Sequence, residues 1–231
     1  MPNRCSRGGS EVAKLDPVDI GHVRKKLSGH SPELVASPHH DRAAVAVVLR
    51  DGPDSAEVLL IERAVFEGDP WSGHMAFPGG RMEMGDDSSR MTAARETFEE
   101  VGVELTNAEY LGQIDDHVGN QRVAPRLVVS AHAFHLEEHQ VFALDPAEVQ
   151  QALWFPLAGL HEASRQVEHV VPELPGVRFP GVVVGEPDRH VVWGMTFRFL
   201  ERVLEVIEHP FPAPWGNLSE FVDSAWADQS D

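Results

Sequence analysis

The residues best equipped for chemistry are Arg95, Glu96, Glu99 and Glu100, which stand in the run Arg-Glu-x-x-Glu-Glu-x-Gly closing at Gly102. If residues 89–101 are helical, Glu96, Glu99 and Glu100 fall at i, i+3 and i+4, and three carboxylates share one face. Two like charges about 4 Å apart repel by roughly 4 kcal/mol at an effective dielectric near 20, so such a face calls for a cation. Carboxylates are hard oxygen donors, and hard donors point to Mg2+ or Mn2+.

The surrounding residues must build the helix that holds them. Asp86, Asp87, Ser88 and Ser89 offer N-caps and negative charge at its start, and Gly102 stands where a left-handed residue would end it. Ala94, Phe98 and Val101 recur at i, i+4 and i+7 and are the expected buried face, opposite the glutamates. Before the helix, Phe77-Pro78-Gly79-Gly80 reads as the end of a strand entering a loop, whose glycines let backbone approach a ligand.

This strand, glycine loop and acidic helix resemble the Nudix box, G-x5-E-x7-R-E-U-x-E-E-x-G-U with U aliphatic. Arg95, Glu96, Glu99, Glu100, Gly102 and Val103 match its second half, with Thr97 at a position usually aliphatic. The first half is one residue longer, so the first acidic position falls on Asp86 or Asp87 depending on the end counted from. A longer box with acidic residues after the glycines resembles the coenzyme A diphosphatase branch, and Glu83 and Asp86 fill those places. The resemblance implies an α/β Nudix fold, a mixed β-sheet sandwiched between helices.

It also implies a reaction, Mg2+- or Mn2+-dependent hydrolysis of a nucleoside diphosphate linked to another moiety. Glu96 and Glu100 are the first choice as metal ligands, and Glu99 is a third ligand or the general base. Arg95 would orient the glutamates by ion pairing, and the carbonyl of Gly79 or Gly80 would complete the metal shell. The expected catalytic residues are therefore Glu99, Glu100 and Arg95, and the expected metal ligands Glu96, Glu99, Glu100 and Gly80.

Upstream, the coenzyme A branch carries L-L-T-x-R-S-x-x-L-R-x-H-x-G-E-V-x-F-P-G-G. Leu59, Leu60, Arg63, Gly73 and the Phe77-Pro78-Gly79-Gly80 run correspond, whereas Asp69 and Trp71 stand where the signature has arginine and histidine, and His74 replaces its glutamate. Trp193-Gly194-Met195-Thr196 resembles a W-G-x-T element of the same branch, although the tryptophan alone reads as a core anchor before a ligand contact. Coenzyme A or its thioesters lead the substrates. ADP-ribose, dinucleoside polyphosphates and nucleoside triphosphates follow, and a non-catalytic nucleotide-binding module is disfavoured by the presence of all three glutamates.

Composition frames these readings. The 231 residues, 42% hydrophobic, can bury the core of one domain. The single cysteine, Cys5, excludes an internal disulfide framework, and Arg4 and Arg7 flank no apolar core of a signal peptide, so the expectation is a cytoplasmic protein. No apolar run suits a bilayer. The formal charge of −18 argues against nucleic acid and anionic membranes as partners, but not against a small diphosphate that meets a locally cationic site. A homodimer stays open.

Residues 1–40 read as an extension with a short helix opened by Asp16-Pro17 and a linker containing His39 and His40, 41–209 as the Nudix domain, and 210–231 as a tail. Strands are expected at 43–50, 57–63, 110–114, 127–136 and 153–155, with the acidic helix after a third strand and a last helix over 196–207 ended by Pro210. His132, His135 and His139 suggest a metal cluster, but strand spacing puts the first two on opposite faces. Asp115, Asp116, His117, Arg122 and Arg126 read as solvated loop charges before substrate contacts, and Glu148 is balanced between a cap and a base.

Overall fold

A computed structural model of the chain describes residues 17–36, 41–66, 72–119, 126–171 and 178–211. Cys5, Arg4, Arg7, Asp16, His39, His40, Asp69, Trp71, Arg122 and the tail beyond residue 211 lie outside the described residues.

Apolar alternation in the first long strand organises the molecule. In β1 (Asp41–Arg50), Ala44, Ala46 and Val48 face one side, and Ala43, Val47 and Leu49 the other. β1 pairs in parallel with β6 (Leu127–His135), and antiparallel at one end with β2 (Glu57–Arg63) and at the other with β4 (Gly79–Arg81). β3 (Met75–Ala76) and β7 (Val149–Pro156) pair with β2, while β5 (Glu109–Val118) pairs with β6, which completes a seven-stranded mixed sheet. β8 (Gln166–Val170), β9 (Arg178–Val183) and β10 (Val191–Trp193) form a second, antiparallel sheet.

Helices cover both faces of the large sheet. The side of Ala44, Ala46, Val48, Leu59 and Ile61 packs on α2 (Ser89–Val101) through Ala93 and Val101. The other side packs on α1 (Ile20–Ser28) through Val23 and Leu27, and on α3 (Gly194–Val206) through Phe197, Leu200, Val203 and Leu204. This is the mixed sheet between helices expected for the Nudix fold. Among the described residues no helix is long and apolar enough to cross a membrane.

Several expectations are corrected. The acidic helix follows four strands, because Gly79 and Gly80 form β4, paired with Val45 and Ala44, instead of a loop. Residues 110–114 are the first half of a strand that continues through Asp115, Asp116 and His117, so these are not loop charges. Asp115 is buried and accepts from Glu33 N, His30 and Arg202, and Asp116 accepts from Val35 N, Arg42 and Ser130. Their partners strap residues 30–35, read as linker, onto β5. The small sheet escapes detection in the sequence because its strands are short and one holds Pro180.

Candidate active site

The acidic helix has the expected bounds. Ser88 is its N-cap and accepts from Met91 N, and Gly102 closes it at φ 70°. Its orientation differs from expectation: Phe98 is 54% exposed, while Ala93, Thr97, Glu100 and Val101 are buried. Thr97 fits where an aliphatic residue is usual because its hydroxyl donates to Ala93 O at 2.7 Å, leaving its methyl to the core. The packed face and the carboxylate face thus overlap at Glu100, and Ala94 and Phe98 are not the anchors of the buried face.

The three glutamates divide. Glu100, 1% exposed, accepts the backbone N–H of Gly79 at 2.8 Å. Burial, reinforced by the charges of Glu96 and Glu148, pushes its carboxyl up to about 8 against the opposing pull of Gly79 N–H and Arg63. Glu96 lies against Gly80, where an added Cβ would stand 2.5 Å from its carboxylate, and burial raises its pKa as well. Glu99 is exposed and held by Arg95 at 2.7 Å.

Arg95 is the hub. Its guanidinium reaches Asp86, Glu96, Glu99 and the carbonyl of Arg81. The hydrogen bonds to Asp86 hold that buried carboxyl down at about 2, helped by Glu83 N–H and the Thr92 hydroxyl. Arg95 therefore ties the turn before the helix, through Asp86, to Glu96 and Glu99, and Asp86 is an anchor that the acidic positions of the box anticipated only as an acid.

Glu148 is the residue whose place the sequence left open. Asp145, not Glu148, caps its turn by accepting Ala147 N, and Glu148 is exposed with its charge acting on both Glu96 and Glu100. Its carbonyl accepts Ala64 N at 2.8 Å, which fixes it beside the end of β2. Glu96, Glu100 and Glu148 fit a divalent cation. All are hard oxygen donors, the Glu148 charge raises the pKa of both Glu96 and Glu100, the Glu96 charge raises that of Glu100, and Gly80 leaves the space that a side chain would fill.

The other candidates disperse. His132 is buried in a Ser89–His132–Tyr110 chain with 2.9 Å on each side, which pins the helix start to the sheet. His135 bonds Asp51 and Arg24, so the three histidines form no cluster. Glu109, His135 and Glu137 do bring potential ligand atoms within 4.8 Å of one another, but Arg24 occupies Glu109 and the histidine. Trp193 meets the rings of His74, His169 and Phe179 at 5.0, 4.8 and 5.3 Å, the surroundings of a packing anchor. In the upstream signature, Leu59 and Leu60 are core, and Gly73 at φ 71° donates to Arg63 O to close the segment after β2.

A NUDIX domain model matches residues 40–174. An uncharacterized Schizosaccharomyces pombe protein is 36% identical over 154 residues, 58% of this chain, and the match spans about half of that protein (47%). A peroxisomal coenzyme A diphosphatase of Caenorhabditis elegans is 31% identical over 159 residues, 68% of this chain and 62% of its own. The CTP pyrophosphohydrolase of Escherichia coli is 32% identical over 120 residues, 49% of this chain and 79% of its own. The matched region takes in more than half of the chain, from β1 through the acidic helix to β8, and the chain belongs to the Nudix hydrolase family.

Proposed function

We propose that this chain hydrolyses the diphosphate of a nucleoside diphosphate derivative with Mg2+ or Mn2+, and that coenzyme A or its thioesters are the substrate. The observation that carries the reaction is the placement of Glu100, buried on Gly79 N–H with its carboxyl raised to about 8, and of Glu96, against Gly80, within electrostatic reach of each other and of Glu148. Glu96 and Glu100 would hold the cation, with the Gly80 carbonyl. When bound, the cation supplies Lewis acidity at the phosphoryl oxygens and offsets charge on the leaving phosphate. Gly79 N–H fixes one oxygen of Glu100, and Arg95 holds Glu96 and Glu99 in place. Glu99 or Glu148 takes the proton of the attacking water; both are exposed.

Coenzyme A is supported by the longer box with Glu83 and Asp86, by the upstream correspondences and by the nematode relative. The products would be 4′-phosphopantetheine, or its acyl form, and adenosine 3′,5′-bisphosphate. A second reading, another nucleoside diphosphate derivative or a nucleoside triphosphate, is favoured by His74 in place of the signature glutamate and by the resemblance to the CTP enzyme. One turnover panel separates them. Coenzyme A should exceed dephospho-coenzyme A, ADP-ribose and CTP in kcat/KM; faster ADP-ribose or CTP would retire the coenzyme A assignment and keep the diphosphatase. Undiminished hydrolysis in excess EDTA would remove the metal-dependent mechanism itself.

A further inference from the structure

β2 carries a buried charge where a strand would ordinarily carry a hydrophobe. Glu62 is 3% exposed and continues the side of Val58 and Leu60, which face the α3 core. Burying a carboxylate there costs several kcal/mol unless it is paired. Arg189 supplies the pair as a fork, Nε to Oε1 at 2.8 Å and Nη2 to Oε2 at 2.9 Å, and His190 Nε2 stands 3.5 Å from Oε2.

The segment that delivers Arg189 is built for it. Between β9 and β10, Asp188 adopts φ 64°, a left-handed conformation costly for a non-glycine residue. His190 donates its backbone N–H to Glu186 O and accepts Glu186 N at Nδ1, and a Cβ on Gly185 would stand 2.3 Å from that nitrogen.

The place it grips is the junction that serves the catalytic carboxylates. The pairing of β2 with β7 shifts register between Glu62 and Arg63, an irregularity of the kind that re-aims a side chain. Past that shift Arg63 acts electrostatically on Glu100, its N–H donates to His74 O, and Ala64 N holds Glu148 O. Across β2, Glu62 pairs with Met75 of β3, which leads directly into Gly79 and Gly80.

We propose that the Glu62–Arg189 fork is a positioning device for catalysis: it fixes the irregularity in β2, and through it Arg63, Glu148 and the β3–β4 segment that faces Glu96 and Glu100. Neither residue touches substrate. The inference rests on the diphosphatase reading for its kinetic consequence, but not for its structural one.

The test uses Arg189→Met, Arg189→Lys and the double variant Glu62→Leu/Arg189→Met of the full chain. It reads Tm, kcat and KM with Mg2+, and hydrogen exchange over residues 62–66 and 77–81. Arg189→Met should lower Tm, lower kcat at least tenfold with KM little changed, and raise exchange in both segments. The double variant should recover Tm, because apolar replacement of a buried pair is well tolerated, but neither kcat nor exchange protection. Arg189→Lys keeps the charge without the fork and should fold with an intermediate kcat and protection. Recovery of kcat and protection along with Tm in the double variant, or wild-type behaviour of Arg189→Lys, would overturn the proposal. If the wild type cleaves no diphosphate, the diphosphatase reading fails and the exchange measurements still decide whether the fork positions these segments.

Discussion

Glu99 and Glu100 are neighbours in the chain and opposites in environment. One is exposed on Arg95, the other 1% exposed against Gly79 N–H. Glu100→Gln keeps the volume and removes the charge, so a metal ligand there should cost at least roughly 10²-fold in kcat, about 2.7 kcal/mol. Glu104→Gln is the control, since Glu104 is exposed and its carboxylate accepts from Thr106, two residues on in the chain. Equal, mild losses in both would make the helix purely structural. A proton is also at stake. With its pKa raised to about 8, Glu100 carries a proton at pH 7 in the metal-free protein, whereas ligation requires the carboxylate. Mn2+ binding at pH 7 should therefore release a proton, seen as a binding enthalpy that changes with the ionisation heat of the buffer. The same enthalpy in phosphate and Tris would contradict it.

The elements show which parts of this site are legible in sequence. β2 and α2 are readable to the residue, because β-branching marks one and Ser88 and Gly102 bound the other. β4 is not, since two glycines have no strand preference and become a strand only by pairing with Val45 and Ala44. The burial of Glu100 was hidden for a similar reason: helical periodicity ranks Phe98 as core, and only the approach of β4 decides which face turns inward. Asp115 and Asp116 likewise bond Glu33 N, Arg202 and Arg42 across 74 to 87 residues, which no local pattern records. The dependence on β4 gives a test. A Cβ on Gly79 would stand 2.3 Å from Ala44 O and 2.7 Å from Val45 Cα, at a φ of 154° that disfavours side chains. Gly79→Ala should cost about 1–3 kcal/mol or more in urea unfolding and depress activity, whereas Gly85→Ala, with nothing within 4 Å of its Cβ, should be silent. A neutral Gly79→Ala would contradict the close approach of β4 to β1.

At the scale of the whole molecule, the buried ionisable groups set how the fold meets acid. Burial holds His132, inside its bonds to Ser89 and Tyr110, down at about 4, against 6.5 for an ordinary histidine. Between those values the unfolded chain binds the proton and the folded one does not, so stability falls as pH drops from about 6.5 towards 4 and this contribution then levels off. Asp86 acts in a second window. Arg95 depresses its carboxyl from 3.8 to about 2, so its contribution is complete above 3.8 and is lost as pH falls through 2. Both groups anchor the start of α2, one to the sheet and the other to Arg95. Thermal unfolding of wild type and variants across pH 3–8 separates these contributions from the opposing one of Glu100, whose carboxyl, raised from 4.5 to about 8, favours the folded state as pH falls. His132→Asn should lower Tm at pH 8 and then gain on the wild type as pH falls from 6.5 to 4, and Asp86→Asn should follow the wild type through that upper window and differ from it in slope only below 4. A Tm profile of the histidine variant that runs parallel to the wild type from pH 8 to 4 would show that His132 is not the group that titrates.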